Sequence, residues 1–230
     1  MRYLVLGAGL MGYACVFDLV NSVDVTKVTV IDINDNNLAK IKNTIKSDKL
    51  SSCRLNISDS KALSLLMKDH NTVISMISYK YNYNLAKMAI ESGCNFCDLG
   101  GNNDIVDKQY TLNDLAIKNN VAVIPDCGLA PGLAGNIAFW VARKFDQAND
   151  VKIRVGGLPI KPEPPMNYSI FFSGEGLINE YYEKPILLRD GHIEEGEPLG
   201  DLEYLDFDNF PQLEAFNTSG GISTLPKTIS

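Results

Sequence analysis

Three glycines near the N-terminus have the spacing of a dinucleotide-binding loop. Gly7, Gly9 and Gly12 lie in the stretch VLGAGLMG, after a predicted strand and at the start of a predicted helix. In that context the first glycine permits a tight turn, the second lets the backbone approach a pyrophosphate, and the third lets the helix pack closely on the strand. The N–H groups of Leu10 and Met11, at the positive end of the helix, would bind the phosphates.

An acidic residue follows this loop at the distance expected for a ribose contact. Asp32 lies twenty residues after Gly12, at the end of the second predicted strand, where a carboxylate accepts hydrogen bonds from a ribose hydroxyl. The same carboxylate would repel a 2′-phosphate, and residues 33–37 (INDNN) contain no Arg or Lys that could hold one. The sequence therefore favours NAD over NADP, with a structural turn that binds no ligand as the alternative.

A second loop carries candidate groups for acid–base chemistry. Residues 125–132 (PDCGLAPG) follow the sixth predicted strand, at the edge of the sheet where open α/β folds bind ligands. Asp126 lies in this loop and Asp98 ends the preceding strand, so both carboxylates are candidate catalytic groups. The alternatives are a connecting loop that needs only tight turns and, for Asp98, a structural anchor.

The elements that would position these residues alternate along the first part of the chain. Strands are predicted at 2–7, 27–32, 53–57, 72–77, 95–100 and 121–125, and helices at 10–21, 36–45, 59–68, 85–91, 105–119 and 133–145. Strands that alternate with helices of this length form βαβ units, whose right-handed crossovers give a parallel sheet covered on both faces. The prediction is an α/β fold, with a doubly wound, Rossmann-type NAD-binding domain over residues 1–149.

The pattern changes after residue 149. A strand-like start (VKIRVGG) is followed by a proline-rich stretch, KPEPPMNYS, that disfavours helix, and then by short β-rich stretches between turns. Residues 150–230 are therefore predicted to form a smaller, mostly β second domain. Because the chain ends at TLPKTIS without a capping element, this domain is expected to be incomplete, with the chain truncated or completed by a partner subunit.

Composition excludes several classes of function. The 230 residues carry a net charge of −7, which argues against a protein that binds nucleic-acid phosphates. Twelve acidic and two basic residues lie between 174 and 214; they are interpreted as solvated faces or, alternatively, as a field that favours a cationic substrate. No uninterrupted apolar run suggests a membrane span, and a cytoplasmic location is expected.

The cysteines and histidines predict neither a disulfide framework nor a metal site. Five scattered cysteines are typical of reduced thiols. Cys94 and Cys97 have CxxC spacing, but three residues apart on a strand they would point to opposite faces. With two histidines in the chain and no second cysteine pair, no metal is expected.

Six motifs in this order resemble the saccharopine dehydrogenase family, and the lysine 6-dehydrogenase branch most closely. They are VLGAGLMG with Asp32, VISMISYKYN (73–82), CDLGGNN (97–103), PDCGLAPG, VGGLP and GEGLINEYYEKP (174–185). The resemblance runs from residue 1 to about 225. It implies a Rossmann domain joined to an α+β substrate domain that often mediates dimerisation, and so a homodimer. In this family the chain then returns to the Rossmann domain, and this sequence ends before that return.

The resemblance also implies an activity, oxidation of the CH–NH bond of a lysine-type amino acid by NAD. Deamination of L-lysine at the 6-position is the first expectation; saccharopine or carboxynorspermidine-type dehydrogenases and a non-catalytic NAD-binding module are the alternatives. The candidate catalytic residues are Asp126, Asp98 and Tyr79. The candidate cofactor-binding residues are Gly7, Gly9, Leu10, Met11, Gly12, Asp32, Asn56 and Ser78. The candidate substrate-binding residues are Asn82, Glu175 and Tyr181.

Overall fold

The computed structural model describes residues 1–170, 172–208, 210, 212–222 and 224–228. The chain forms two compact units. The first comprises Met1–Gly100 and Asp104–Cys127, and the second comprises Gly101–Asn103 and Gly128–Ser230. This division falls between Cys127 and Gly128, so the helix predicted at 133–145 groups with the second unit. A domain boundary at 149 stays a prediction.

The first unit is built on one six-stranded sheet. Its strands are β1 (Arg2–Leu6), β2 (Lys27–Asp32), β3 (Leu50–Arg54), β4 (Thr72–Ser75), β5 (Asn95–Asp98) and β6 (Val123–Ile124). All pairs are parallel, in the order β3-β2-β1-β4-β5-β6. The direction of winding reverses between β1 and β4, and ligands bind at such a reversal, outside the carboxyl ends of the strands. The predicted doubly wound fold is confirmed.

Helices connect these strands. They are α1 (Leu10–Asn21), α2 (Asp35–Thr44), α3 (Ser60–Met67), α4 (Asn82–Glu91), α5 (Asn103–Tyr110) and α6 (Asn113–Lys118), with a 3₁₀ turn at Tyr79–Tyr81. Side-chain caps define two of the starts. Asn34 accepts a hydrogen bond from the N–H of Asn36 before α2, and Asp59 accepts one from Ala62 before α3.

Alternate residues of β1 pack into two separate cores. Leu4 and Leu6 belong to one buried cluster and Val5 to the other. Because successive side chains of a strand point to opposite faces, the sheet is covered by apolar packing on both sides. This double coverage holds the carboxyl ends of the strands in fixed positions.

Within the first unit, one predicted element is divided and one is displaced. The helix expected at 105–119 is divided, because the N–H of Thr111 bonds to Lys108 O and that of Leu112 to Gln109 O, which turns the chain and buries Leu112. The strand expected at 53–57 lies at 50–54. The apolar residues that suggested the later position, Leu55 and Ile57, follow the strand and pack against the core.

The second unit contains more helix than predicted. Its elements are α7 (Leu133–Ala142), α8 (Gly174–Tyr182), β7 (Ile186–Arg189), β8 (His192–Glu195), β9 (Glu203–Leu205), β10 (Leu213–Ala215) and α9 (Leu225–Thr228). The strands form two antiparallel pairs, β7–β8 and β9–β10. The missed helix α8 starts at the Ser173 cap, whose hydroxyl accepts from the N–H of Gly176. Residues 151–159, where a strand was expected, have no regular structure.

Several apolar side chains of α7 are exposed, among them Ile137 and Trp140.

Within the described part of the chain, no helix has the length and apolar character needed to cross a bilayer.

Candidate functional site

The loop after β1 is shaped by Gly7. This residue has φ +103°, a conformation that favours glycine, and its N–H donates to Ile31 O at 2.8 Å. A Cβ there would lie 2.7 Å from Ile77 Cγ2 and 2.8 Å from Met76 O. The chain therefore turns tightly where the ends of β1 and β4 meet.

Gly12 and Gly9 have opposite surroundings. A Cβ on Gly12 would lie 2.0 Å from Gly7 O, so α1 can approach the loop only if residue 12 has no side chain. A Cβ on Gly9 would meet nothing within 4 Å. Packing thus explains Gly7 and Gly12 but not Gly9, which is the glycine whose proposed role is close approach to a pyrophosphate.

The N-terminus of α1 begins at this open position. Gly9 is its N-cap, no side chain of the described residues caps it, and its first turn contains no acidic residue. Leu10 and Met11 are both exposed there. The backbone N–H groups at the start of α1 therefore face open space, because Gly9 has no side chain to fill it. Such a helix N-terminus fits the pyrophosphate of a dinucleotide.

Asp32 lies beside this loop at the end of β2. Its Oδ2 accepts from the N–H of Ala8 at 2.7 Å, and its Oδ1 accepts from the N–H of Asn34 at 2.8 Å. The carboxylate is thereby held against the glycine loop, where a ribose hydroxyl of a bound dinucleotide would reach it.

One cation near Asp32 was missed by the sequence analysis. Arg54, at the end of β3, pairs in register with Asp32. Its Nε donates to Ile33 O at 3.2 Å and lies 3.6 Å from a carboxylate oxygen of Asp35, and its side chain is exposed. Arg54 is 22 residues from Asp32 in sequence, and only the pairing of β2 with β3 brings the two together.

The remaining candidate cofactor residues follow neighbouring strands. Ser78 precedes the 3₁₀ turn after β4 and is half-buried, as is Tyr79. Asn56 follows β3 and is exposed, and its Oδ1 accepts from the N–H of Ser58 at 2.9 Å. Their roles toward a cofactor or substrate stay predictions.

Asp98 is the centre of a buried hydrogen-bond network. The residue is 1% exposed. Its Oδ1 accepts from the N–H of Gly100 and its Oδ2 from Nε2 of Gln109, each at 2.7 Å. The backbone N–H of Asp126 and the side chain of Asn82 also bond to this carboxyl group. Asp98 therefore anchors the elements around the end of β5, the alternative that the sequence left open for it.

The charge state of Asp98 reflects opposing effects. Burial raises the pKa of the carboxyl group above its ordinary value, whereas the bonds from Gln109, Gly100, Asp126 and Asn82 act to lower it. The net direction is upward, which indicates that desolvation outweighs hydrogen bonding.

The side chain of Asn82 belongs to the same hydrogen-bond network. It is 1% exposed, and its Oδ1 accepts a hydrogen bond from Ser75 Oγ at 2.8 Å. Since its side chain also bonds to Asp98, the geometry supports a positioning role. Direct contact of Asn82 with substrate stays a prediction. Ser75 and Gln109 complete the network. Ser75 lies within the motif at 73–82 but was not among the candidate residues, and Gln109 lies in no motif.

Asp126 lies in the loop after β6 with a left-handed backbone, φ +60°. Its side chain is 8% exposed. The next residue is tied to the sheet as well, because the N–H of Cys127 donates to Asp98 O at 2.7 Å. The structure thus brings the two predicted carboxylates, Asp98 and Asp126, together at the carboxyl edge of the sheet.

Glu175 and Tyr181 belong to the second unit. Glu175 lies in the first turn of α8, and the ring of Tyr181 packs at a tilt against that of Phe216, with 5.8 Å between the centroids. Their contact with substrate stays a prediction. Among the described residues, no group of three or more His, Cys, Asp or Glu could hold a metal ion.

Comparison with protein families gives one match that covers about half of the chain. Residues 3–124 match the saccharopine dehydrogenase NADP binding domain. This range contains the whole six-stranded sheet apart from one residue of β1, together with the glycine loop.

Two curated proteins are similar to this chain. Saccharopine dehydrogenase [NADP(+), L-glutamate-forming] of Saccharomyces cerevisiae is 24% identical over 204 residues, which are 83% of this chain and 43% of that protein. The protein of the same name from Schizosaccharomyces pombe is 28% identical over 131 residues, 54% of this chain and 28% of that protein. The chain thus spans less than half the length of these relatives.

A solved structure shares the fold. Apo saccharopine dehydrogenase (L-Glu forming) from Saccharomyces cerevisiae aligns with a TM-score of 0.72 at 21% identity, covering 98% of this chain and 51% of that one.

Proposed function

Because the chain belongs to the saccharopine dehydrogenase family, we propose that it is a nicotinamide-dependent dehydrogenase that oxidises a CH–NH bond of an amino-acid substrate. The observation that carries this proposal is the glycine loop inside the matched range. Its middle glycine, Gly9, has no packing reason to lack a side chain and lies at the N-terminus of α1. The NAD(P) cofactor would lie along this loop, with its ribose at Asp32.

The reaction needs removal of both a hydride and a proton. When bound, the cofactor accepts the hydride from the carbon that carries the nitrogen. An ammonium substrate, with a reference pKa near 10.4, must first lose a proton, because the nitrogen lone pair stabilises the cation that forms. We assign this proton to Asp126, whose backbone is held by Asp98. Water then converts the iminium to a carbonyl and an amine.

The names of the relatives bear on the substrate. Both are saccharopine dehydrogenases of the L-glutamate-forming type, which favours saccharopine over L-lysine. Oxidation of L-lysine at the 6-position and a carboxynorspermidine-type reaction remain the alternatives. A homodimer and a cytoplasmic location also belong to the proposal.

Steady-state assays of the purified chain test the activity. With NAD⁺ or NADP⁺ we expect reduced cofactor to form faster with saccharopine than with L-lysine or carboxynorspermidine. Asp126→Asn should lower kcat by about 10²- to 10⁴-fold, the usual contribution of a general base, and leave cofactor affinity unchanged. The matched control is Asp104→Asn, at an exposed position in the first turn of α5, which should retain full activity. Cofactor binding without turnover of any of the three substrates would instead support a non-catalytic binding module.

The form of the cofactor is a separate question. The matched family domain is described as NADP binding, the relatives carry NADP in their names, and Arg54 lies next to Asp32. All three observations favour NADP. We propose NAD on the strength of Asp32, whose carboxylate would oppose a 2′-phosphate. Calorimetry should give NADH an affinity about tenfold or more above that of NADPH, a difference of about 1.4 kcal/mol.

Two variants identify the residues responsible. Asp32→Asn removes the charge but keeps an acceptor for the N–H of Ala8. It should reduce the difference in affinity between NADH and NADPH. Arg54→Ala should weaken the binding of NADPH and leave the affinity for NADH unchanged. Tighter binding of NADPH to the unaltered chain, insensitive to Asp32→Asn, would show that NADP is the natural partner.

A further inference from the structure

Two cysteines meet at the carboxyl edge of the sheet. Cys97 is the third residue of β5 and pairs in register with Ile124 of β6. Cys127 follows three residues later, and its N–H donates to Asp98 O at 2.7 Å, which fixes its backbone beside β5. Sγ of Cys127 lies 3.4 Å from the carbonyl oxygen of Ile124, the residue that pairs with Cys97. Two cysteines 30 positions apart in sequence are thus brought to the same edge of the sheet.

The two thiols differ in accessibility and in acidity. Cys127 is exposed and Cys97 is half-buried. Interaction with the Cys97 thiol lowers the pKa of Cys127 against the opposing effects of burial and of Asp98 and Asp126. Interaction with Cys127, together with burial, raises the pKa of Cys97. Cys127 therefore ionises first and is stabilised by the S–H of Cys97, which keeps its proton.

The other three cysteines lack this combination. Burial and the nearby Asp18 raise the pKa of Cys15 to about 11. Burial also raises the pKa of Cys94, whose thiol is directed to Met67 O and His70 O. Cys53 is exposed, but its pKa is raised as well. Of the five cysteines, Cys127 alone is both exposed and shifted toward the thiolate.

We propose that Cys97 and Cys127 form a redox-active dithiol that closes reversibly to a disulfide, with a low-molecular-weight disulfide as oxidant. The thiolate of Cys127 attacks one sulfur of the oxidant and displaces the other as a thiolate, giving a mixed disulfide. Cys97 then loses its proton and its sulfur attacks Sγ of Cys127, releasing the second small thiolate. Two electrons leave the protein, and the oxidant is reduced to two thiols.

Closure would act on the loop that carries Asp126. In the dithiol form the loop is held to β5 by the bond from Cys127 N–H to Asp98 O and by the bonds around the Asp98 carboxyl group. A covalent S–S bond of about 2.05 Å would join the two side chains and fix residues 125–127 to the sheet. The site of modification thus lies one residue from each of the two candidate catalytic carboxylates.

Peptide mapping of the whole chain tests the proposal without any assay of activity. The chain is equilibrated with oxidised glutathione, free thiols are blocked, and a tryptic digest is analysed by mass spectrometry. We expect a cross-link between residues 88–108 and 119–143 that has lost two hydrogens and is reversed by dithiothreitol. Fragmentation should place it at Cys97, not at Cys94 in the same peptide.

Single variants separate the two roles. Cys97→Ser should accumulate a glutathione adduct on Cys127, and Cys127→Ser should give neither a cross-link nor an adduct on Cys97. Cys53→Ser, a change at an exposed cysteine outside the pair, should leave the cross-link unchanged. In the unaltered chain, iodoacetamide should label Cys127 several-fold faster than Cys53, because the thiolate is the reactive form.

Two results would overturn the proposal. One is an adduct on Cys127 that never proceeds to a cross-link at any ratio of oxidised to reduced glutathione, since the thiols then do not meet. The other is faster labelling of Cys97 than of Cys127. Both readouts use the unaltered chain, so they hold even if a serine variant fails to fold.

Discussion

Gly9→Ala is expected to lower the affinity of the chain for NADH and NADPH by about 10- to 100-fold while the protein still folds. An added methyl group would occupy the open space at the start of α1 and keep the pyrophosphate from the backbone N–H groups. Losing one charge-assisted hydrogen bond costs about 1.5–3 kcal/mol, which corresponds to this range. Alanine is a poorer N-cap than glycine, so the unfolding free energy should fall by less than about 1 kcal/mol.

Gly12→Ala is the matched comparison, since it makes the same chemical change three residues away. Its Cβ would lie 2.0 Å from Gly7 O, a backbone atom that cannot move away without distorting the loop. We expect a loss of more than about 3 kcal/mol in unfolding free energy, measured by urea denaturation. If Gly9→Ala binds NADH and NADPH as tightly as the unaltered chain, the dinucleotide does not lie on this loop.

Asp98→Ala is expected to destabilise the first unit by about 2–5 kcal/mol, a range typical of buried donors that lose their acceptor. The substitution would leave the N–H of Gly100, the amide of Gln109 and the N–H of Asp126 without the carboxyl group that they share. Asp104→Ala, an exposed acidic residue in the first turn of α5, should cost under about 1 kcal/mol. Equal effects of the two changes would contradict the anchoring role of Asp98.

The pH dependence of the Asp98→Asn variant tests the balance of forces at this carboxyl group. Burial raises its pKa above 3.8 in the folded chain, so the folded state holds this proton more tightly than the unfolded state. The contribution of Asp98 to stability should therefore fall as the pH rises from about 4 through the raised pKa, and stay constant above it. Urea denaturation over this interval measures the unfolding free energy of both proteins. The unfolding free energy of the unaltered chain minus that of Asp98→Asn should decrease as the pH rises. An increase in this difference with rising pH would mean that the hydrogen bonds outweigh desolvation.

The periodic part of the fold was predictable from the sequence. The alternation of strands and helices predicts the parallel sheet. Each βαβ unit can be recognised because the spacing of apolar residues differs between strands and helices. Strand β3 was displaced by three residues, since Leu55 and Ile57 are apolar for reasons of loop packing. Helix α8 was missed because its sequence, GEGLINEYY, contains two glycines, which disfavour helix.

The candidate site was predictable where a local motif carries it. Gly7, Gly9, Gly12 and Asp32 follow from spacing alone and lie where that spacing requires. Contacts between elements distant in sequence were not predictable. The pairing of Arg54 with Asp32 depends on strand register, and the bond from Gln109 to Asp98 depends on how α5 packs. Nothing local in the sequence marks either residue.

The contact between Gly12 and Gly7 has a further consequence for the rate of complex formation. A loop that is held against its own helix is already ordered before any dinucleotide arrives, so no entropy is spent on organising it. Encounter, rather than rearrangement of this segment, should then limit how fast the complex forms. Differences in affinity among nucleotides would consequently arise mainly in how long each one stays bound.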